Sequence, residues 1–325
     1  MKRFCCMALA VLLLLCACGP QSVKRMGWPV SIDELSFSTP PKRVVTLSPG
    51  LTETVFSLGY GARVSGVGHG SDYPSSVQAL PDCGTATSPD VEMILELSPA
   101  LVLTPSGLSA EATSLLANAG IPVMIVRFSD SLEGIYQNWG RLCLLFEGTM
   151  QGPLREQQLR YYGQGMLKDL NARVHQAVSQ QGESVDVIWL RHMPLLMATG
   201  DTLEGSLLAD MGLVNQAASF ARWNYPVESE KSLNPDLILC DSSISLATLQ
   251  SHAYYKQTNA MKNNRVFTLD GNVFERQTPL MFSTLYQAMQ EAFPDAFANA
   301  SPAIVMPPPP APEVKKSWLK KLLGR

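Results

Sequence analysis

The chain has 325 residues, 46% of them hydrophobic and 16% charged. That composition excludes a chain disordered throughout and is long enough for two domains of ordinary size. The net charge of -3 offers no basic excess for nucleic acid, yet it conceals a division: residues 18–300 carry 18 basic and 27 acidic side chains, an acidic body between two basic ends.

Residues 1–17 begin with Lys2 and Arg3 and continue into the apolar run Met7–Leu15, too short to span a bilayer and patterned as a signal peptide. Leu15-Cys16-Ala17-Cys18-Gly19 resembles a bacterial lipobox. Cleavage and acylation are expected at Cys18; Cys16 fits worse, because Leu15 before it is not small. Residues 18–40, polar and with Pro20, Pro29 and Pro40, read as a lipidated tether on the periplasmic or extracytoplasmic side of a membrane. Cys83, Cys143 and Cys240 remain, an odd number without metal-ligand spacing. They are expected to be small buried residues, in a compartment that permits one bridge.

Short apolar runs bounded by turn residues then alternate with helical patterns. Val44–Ser48, Val64–Gly68, Leu101–Thr104 and Val123–Phe128 are predicted strands, with helices over Thr52–Leu58 and Ser109–Ala119 among the segments between them. The series restarts with Val185–Arg191, Leu237–Asp241 and Val266–Asp270. Strands alternating with helices imply parallel sheets, so two α/β lobes are expected, over 41–150 and 183–300. Between them, in 151–182, Leu159, Tyr162, Met166, Leu170, Val174 and Ala177 recur at helical steps. Pro153 suits a first turn and Gly182 a C-terminal stop, predicting one rigid connecting helix about 40 Å long. Gly163 and Gly165 weaken it by about 1 kcal/mol each relative to Ala.

Two segments share one plan. Val91-Glu92 and Val227-Glu228 are each followed by six residues, a proline (Pro99, Pro235), one residue and an apolar strand. A short helix is expected at each, ending before the proline. Residues 301–325 hold six prolines and then Lys315-Lys316-Ser317-Trp318-Leu319-Lys320-Lys321-Leu322-Leu323-Gly324-Arg325. This reads as a polyproline spacer and a basic amphipathic tail suited to an anionic membrane surface.

Pro41-Lys42-Arg43-Val44-Val45-Thr46-Leu47-Ser48-Pro49, Ser71-Asp72-Tyr73-Pro74, the two Val-Glu…Pro segments and Phe274-Glu275-Arg276-Gln277-Thr278-Pro279 resemble the class III periplasmic binding proteins. These serve ABC importers of cobalamin, ferric siderophores and haem. The resemblance spans about 41–293, and the cobalamin-binding members share Asp-Tyr-Pro and Phe-Glu-Arg-x-Ser/Thr-Pro. It implies two α/β lobes joined by a long helix, a ligand cleft between them, and one surface glutamate per lobe, Glu92 and Glu228, meeting arginines of the permease, to which the ATPase subunits attach. It implies a monomer that carries no cofactor of its own. The candidate ligand contacts are Ser48, Pro49, His69, Asp72, Tyr73, Arg191, His192, Phe274 and Arg276, which follow predicted strands, and Trp223 and Tyr225, which sit just before Glu228. Aromatic faces suit a planar macrocycle or catecholate, and arginines an anionic chelate. Arg276 matches an arginine that contacts ligand in the cobalamin-binding members. Where those members have stacking tryptophans, this chain has Ala86 and Pro105, and Asn272 replaces an aspartate. These departures leave a ferric siderophore or haem open, and the second-lobe aromatics Trp223 and Tyr225 support a corrinoid; the expected ligand is a corrinoid or ferric-siderophore-type chelate, with haem as the alternative. No Gly-rich phosphate loop, Gly-x-Ser-x-Gly elbow or His-Glu-x-x-His occurs. A secreted hydrolase is the weaker reading, and a bare-ion site would need more His and carboxylate ligands than the first lobe offers.

Overall fold

The structure is a computed structural model that describes residues 26–298 and 304–308. The signal segment, Cys18 and the basic end at 315–325 lie outside the described residues.

The first lobe is a four-stranded parallel sheet. Its strands are β3 (Val44–Thr46), β4 (Val64–Gly66), β5 (Leu101–Thr104) and β6 (Val123–Ile125), in the order β4-β3-β5-β6. Val44 pairs with Leu101, and Val102 with Val123. All residues of β3 and β5 are buried, as expected of parallel strands covered on both faces. Helix α1 (Pro49–Ser57) starts at Ser48, whose hydroxyl accepts from the Leu51 N–H at 3.1 Å, with Pro49 in the first turn. On the other face, α2 (Val91–Leu97) and α3 (Ala110–Asn118) bury Ile94 and Leu116 against Val45, Leu47 and Val102.

The second lobe repeats the plan with β7 (Asp186–His192), β10 (Leu237–Asp241) and β11 (Val266–Leu269) in parallel, Ile238 pairing with both Ile188 and Val266. Two short strands complete it: β8 (Leu196–Met197) runs antiparallel to β7, and β9 (Val214–Asn215) pairs with β7 in parallel. Ile188, Leu190, Ile238 and Cys240 face one cluster, while Val187, Trp189, Leu237 and Leu239 face the other. That alternation is the two-residue period of a strand covered on both sides.

The expected long helix connects the lobes, and a further helical limb precedes it. Helix α4 covers Leu132–Gln181, and Gly148 interrupts it with φ 77 and ψ -178. At Gly148 the chain doubles back into a helical hairpin: Glu133 meets Arg160, Tyr136 lies against Gly163, and Leu144 lies against Gly152. Only glycine takes this backbone without strain, and a Cβ would also strike the Gly27 carbonyl at 2.6 Å. The second limb, 149–181, is about 50 Å long and ends as expected at Gly182, with φ 74. Gly163 and Gly165, costly for an isolated helix, are packing sites: a Cβ would run into the Tyr136 hydroxyl and Phe282 ring at the first, and into Ile304 at the second.

One core cluster runs through both lobes along this hairpin. Trp139 meets Tyr136 and Phe282 edge-on at 5.5 and 6.2 Å, and Phe282 meets Tyr162 at 5.9 Å. Part of 18–40, read as tether, is structured as well. Strands β1 (Val30–Ile32) and β2 (Leu35–Phe37) form a hairpin that buries Val30, Ile32 and Phe37 against the core, and Asp33 is paired with Arg141. Both ends of the described chain meet the second limb of α4: the Gly27 carbonyl accepts from the Thr149 N–H at 3.0 Å, and the Pro308 carbonyl accepts from Arg155 at 2.7 Å. Cys83, Cys143 and Cys240 are buried and free, and burial pushes their thiols up to about 11, 12 and 12. Among the described residues no helix is long and apolar enough to cross a membrane.

Candidate functional site

The strands of both lobes end toward one cleft, where ligands bind in open α/β sheets. The loops after β3, β4 and β6 reach it from the first lobe, and those after β7, β8 and β11 from the second. Its centre is an ionic strut. Arg276, between the short helix Asn272–Glu275 and α6 (Leu280–Ala292), donates to Glu53 of α1 at 2.6 Å and pairs with Asp72 at 2.8 Å. Its backbone carbonyl accepts from the Thr54 hydroxyl at 3.0 Å. The Glu53 side chain is only 3% exposed, and burial lifts its carboxyl above the ordinary range against the pull of Arg276. Next to the strut, the Gln277 side chain exchanges hydrogen bonds with the Ser129 backbone at 2.5 and 3.0 Å, and Trp139 donates to the Gln277 carbonyl at 2.9 Å. These contacts tie the lobes together at the base of the cleft.

Arg191, at the end of β7, is also neutralised. It pairs with Asp241, donates to Glu275 at 2.8 Å and donates to Asn272 at 3.0 Å, and it is buried. Gly271 lets this network close, because a Cβ there would occupy the space of the Arg191 guanidinium and would lie 2.7 Å from the Asp241 carboxylate.

Two cavities flank the strut. One of about 310 Å³ is lined by Glu53, Asp72, Tyr73, Asp270, Asn272 and Arg276, among others. The other, about 300 Å³, lies against Asp130, Asp201, Glu204, Arg222, Trp223, Phe274, Glu275 and Gln277. Four carboxylates face this second cavity with one arginine. Glu204 is 6% exposed, and burial pushes its carboxyl up to about 7. A larger hollow of about 690 Å³, between α4 and α6, lies away from the strand ends.

The candidate ligand contacts therefore divide. Asp72, Tyr73, Trp223, Phe274 and Arg276 line the two cavities. Phe274 does so while almost wholly buried, edge-on to Trp189 at 4.9 Å. Ser48 caps α1, and Pro49 beside it is half-buried. His69 is exposed and lies 2.7 Å from Asp82. His192 is exposed at the end of β7, whereas Tyr225 is buried edge-on to Phe220 at 4.8 Å. Sequence reasoning passed over Glu53, Asp130, Asp201, Glu204, Arg222 and Gln277. A signal for two of them was present: Thr199-Gly200-Asp201-Thr202-Leu203-Glu204 follows β8 and opens α5 (Leu203–Asp210), with Thr202 as its cap.

Glu92 and Glu228 are both exposed, in the first turn of α2 and in the short 3-10 helix Val227–Ser232. The two segments depart three residues on. Ile94 is fully buried, and at the equivalent place in lobe two stands the buried Glu230, 3.4 Å from His252.

Two parallel-sheet lobes, a long connecting helix and a cleft at the strand ends are the fold that the resemblance to class III solute-binding proteins implies. The profile described as "Periplasmic binding protein" matches residues 44–142 of the chain. An uncharacterized ABC transporter substrate-binding lipoprotein of Bacillus subtilis (strain 168), YvrC, is 27% identical over 281 residues, 83% of this chain and 87% of its own length. A vitamin B12-binding protein of Vibrio parahaemolyticus is 24% identical over 269 residues, covering 81% of this chain and 94% of that one. The crystal structure of the periplasmic haem-binding protein HutB of Vibrio cholerae has a TM-score of 0.63 at 21% identity, covering 77% of this chain and 97% of that one.

Proposed function

We propose that the chain is the substrate-binding lipoprotein of an ABC importer and that its ligand is a corrinoid. The observation that carries the choice of ligand is the charge of the cleft. Arg191 and Arg276 each already face two carboxylates. The cavity beside Trp223 adds Asp130, Asp201 and Glu204 against Arg222. An anionic ferric catecholate, or the propionates of haem, would bring negative charge against unneutralised carboxylates in a setting where water screens poorly. A corrinoid carries amides and no net negative charge on its ring, and its face can lie on Trp223 and Tyr73. Likeness to a vitamin B12-binding protein over most of the chain supports the same reading.

A thermal-shift panel of cyanocobalamin, cobinamide, haem and a ferric catecholate tests this. At 100 times its dissociation constant a true ligand adds about 2.7 kcal/mol of stability. The corrinoids are expected to raise the melting temperature and the two anionic chelates are not. A shift with haem or the catecholate alone overturns the corrinoid assignment.

Glu92 and Glu228 are taken to be the permease contacts, because charge-assisted pairs to arginine are directional and two of them on separate lobes fix orientation. Cys18 is taken as the acylated residue. Gly27 and Pro308 are held six residues apart on α4, at Thr149 and Arg155, about 9 Å along the helix. The tether and the basic tail therefore start from neighbouring points, and the tail is read as a second contact with the anchoring membrane. Deleting residues 309–325 from unacylated protein is expected to reduce sedimentation with anionic vesicles; equal sedimentation of the two proteins would refute the tail's role.

A further inference from the structure

The cavity beside Trp223 holds one carboxylate that the fold leaves without a partner. Glu204 is more than nine-tenths buried at the start of α5 and lines this cavity. Among the described residues, its carboxylate is met only by its own backbone N–H; no hydrogen bond or ion pair from another residue reaches it. A buried, ionisable and unpaired group costs stability unless something supplies its hydrogen bonds. Neighbouring charges do not relieve it: Asp130 and Glu275 add negative charge, and Arg191, the attractive neighbour, is already held by Asp241 and Glu275. Asp201, three residues earlier, is occupied by the Thr199 hydroxyl and the Arg222 N–H. No group of three carboxylates or histidines among the described residues converges on a point that would hold a metal ion. A ligand seated in this cavity can supply a donor to that carboxylate.

We propose that Glu204 accepts N–H donors from the bound ligand, primary amides or an ammonium group, and so makes this wall of the cleft selective for neutral or cationic amide-bearing chelates. The proposal rests on the corrinoid reading and gives it an atomic basis. A corrin ring presents primary amides around its rim, and one placed over Trp223 brings such amides against the cavity wall. Hydrogen bonds to an ionised carboxylate are the stronger kind, so ligand binding favours the charged form of Glu204. The sign follows: the free protein holds this carboxyl partly protonated near pH 7. Lowering the pH therefore weakens binding, and binding at neutral pH releases a proton.

Calorimetric titration of cyanocobalamin into wild type and Glu204→Gln at pH 6 and pH 8 tests this. Wild type is expected to bind roughly tenfold more tightly at pH 8 than at pH 6, with heats at pH 7 that depend on the ionisation enthalpy of the buffer. Glu204→Gln is expected to bind equally at both pH values, roughly tenfold more weakly than wild type at pH 8. The ligand-free variant is expected to melt higher than wild type at pH 8, because an unpaired buried charge has gone. A variant that keeps the wild-type affinity and pH profile, or one that melts lower at pH 8, overturns the role of Glu204 while leaving the corrinoid reading intact. Wild type that binds no corrinoid overturns both.

Discussion

Glu92→Arg combined with Glu228→Arg is expected to abolish ligand uptake in cells while the soluble protein keeps its ligand affinity within ~twofold. Both side chains are exposed and belong to a first helical turn. Losing an acid favoured by the helix dipole costs about 0.3–1 kcal/mol per site, too little to unfold the protein. Reversing the charge does more at the permease, since a favourable pair becomes a like-charge contact on each lobe. The single variants are expected to retain part of the uptake, because one pair still orients the complex. Transport assays beside a binding titration separate the two effects. Normal uptake by the double variant would remove Glu92 and Glu228 from the docking surface.

Arg276→Ala is expected to have the largest effect on stability. It leaves Glu53, whose side chain is 3% exposed, without its cation. Breaking such a pair from one side costs about 3 kcal/mol. The contact with Asp72, 63% exposed, adds little. The pH dependence has a definite sign. The Glu53 carboxyl already sits above the ordinary range through burial, and losing Arg276 raises it further. The deficit is thus greatest at pH 8 and shrinks as acidification protonates Glu53. Glu53→Gln in the Arg276→Ala background is expected to recover most of the loss at pH 8. Urea titrations at pH 8 and pH 4.5 report both outcomes, and a deficit independent of pH would show that the strut acts by packing and not by charge.

Much of the fold was legible because local rules and tertiary structure agree. The strands read from apolar runs all form, and the expected stop at Gly182 is present with its positive φ. The similar plan of the two Val-Glu…Pro segments also appears, as a helix at 91–97 and a 3-10 helix at 227–232. What escaped has physical reasons. The first limb of α4 carries Ile135, Tyr136, Trp139, Leu142 and Phe146 at helical spacing, but Pro153 competes as a start signal. The true break, Gly148, is set by contact with Gly27 and Trp28, more than a hundred residues away in sequence. The hairpin over 30–37 was hidden in a proline-containing stretch because each of its strands has only three residues.

The site was legible by position more than by role. The strand-end rule selected Asp72, Tyr73, Phe274 and Arg276, the place just before Glu228 selected Trp223, and these five line the cavities. It could not reveal that Arg191 and Arg276 are neutralised, because their partners Asp241, Glu275 and Glu53 lie tens to hundreds of residues away in the chain. An arginine count alone points to an anionic ligand; the paired geometry points the other way. Glu204 was missed because a glutamate in the first turn of a helix normally reads as a solvated acid favoured by the dipole.

The most direct test of the account is a calorimetric titration of cyanocobalamin into the ligand-free protein at pH 8, beside haem and a ferric catecholate. Saturable one-to-one binding of the corrinoid, with no saturable heat from the two anionic chelates, is the predicted result. Saturable binding of an anionic chelate with none of the corrinoid would contradict it.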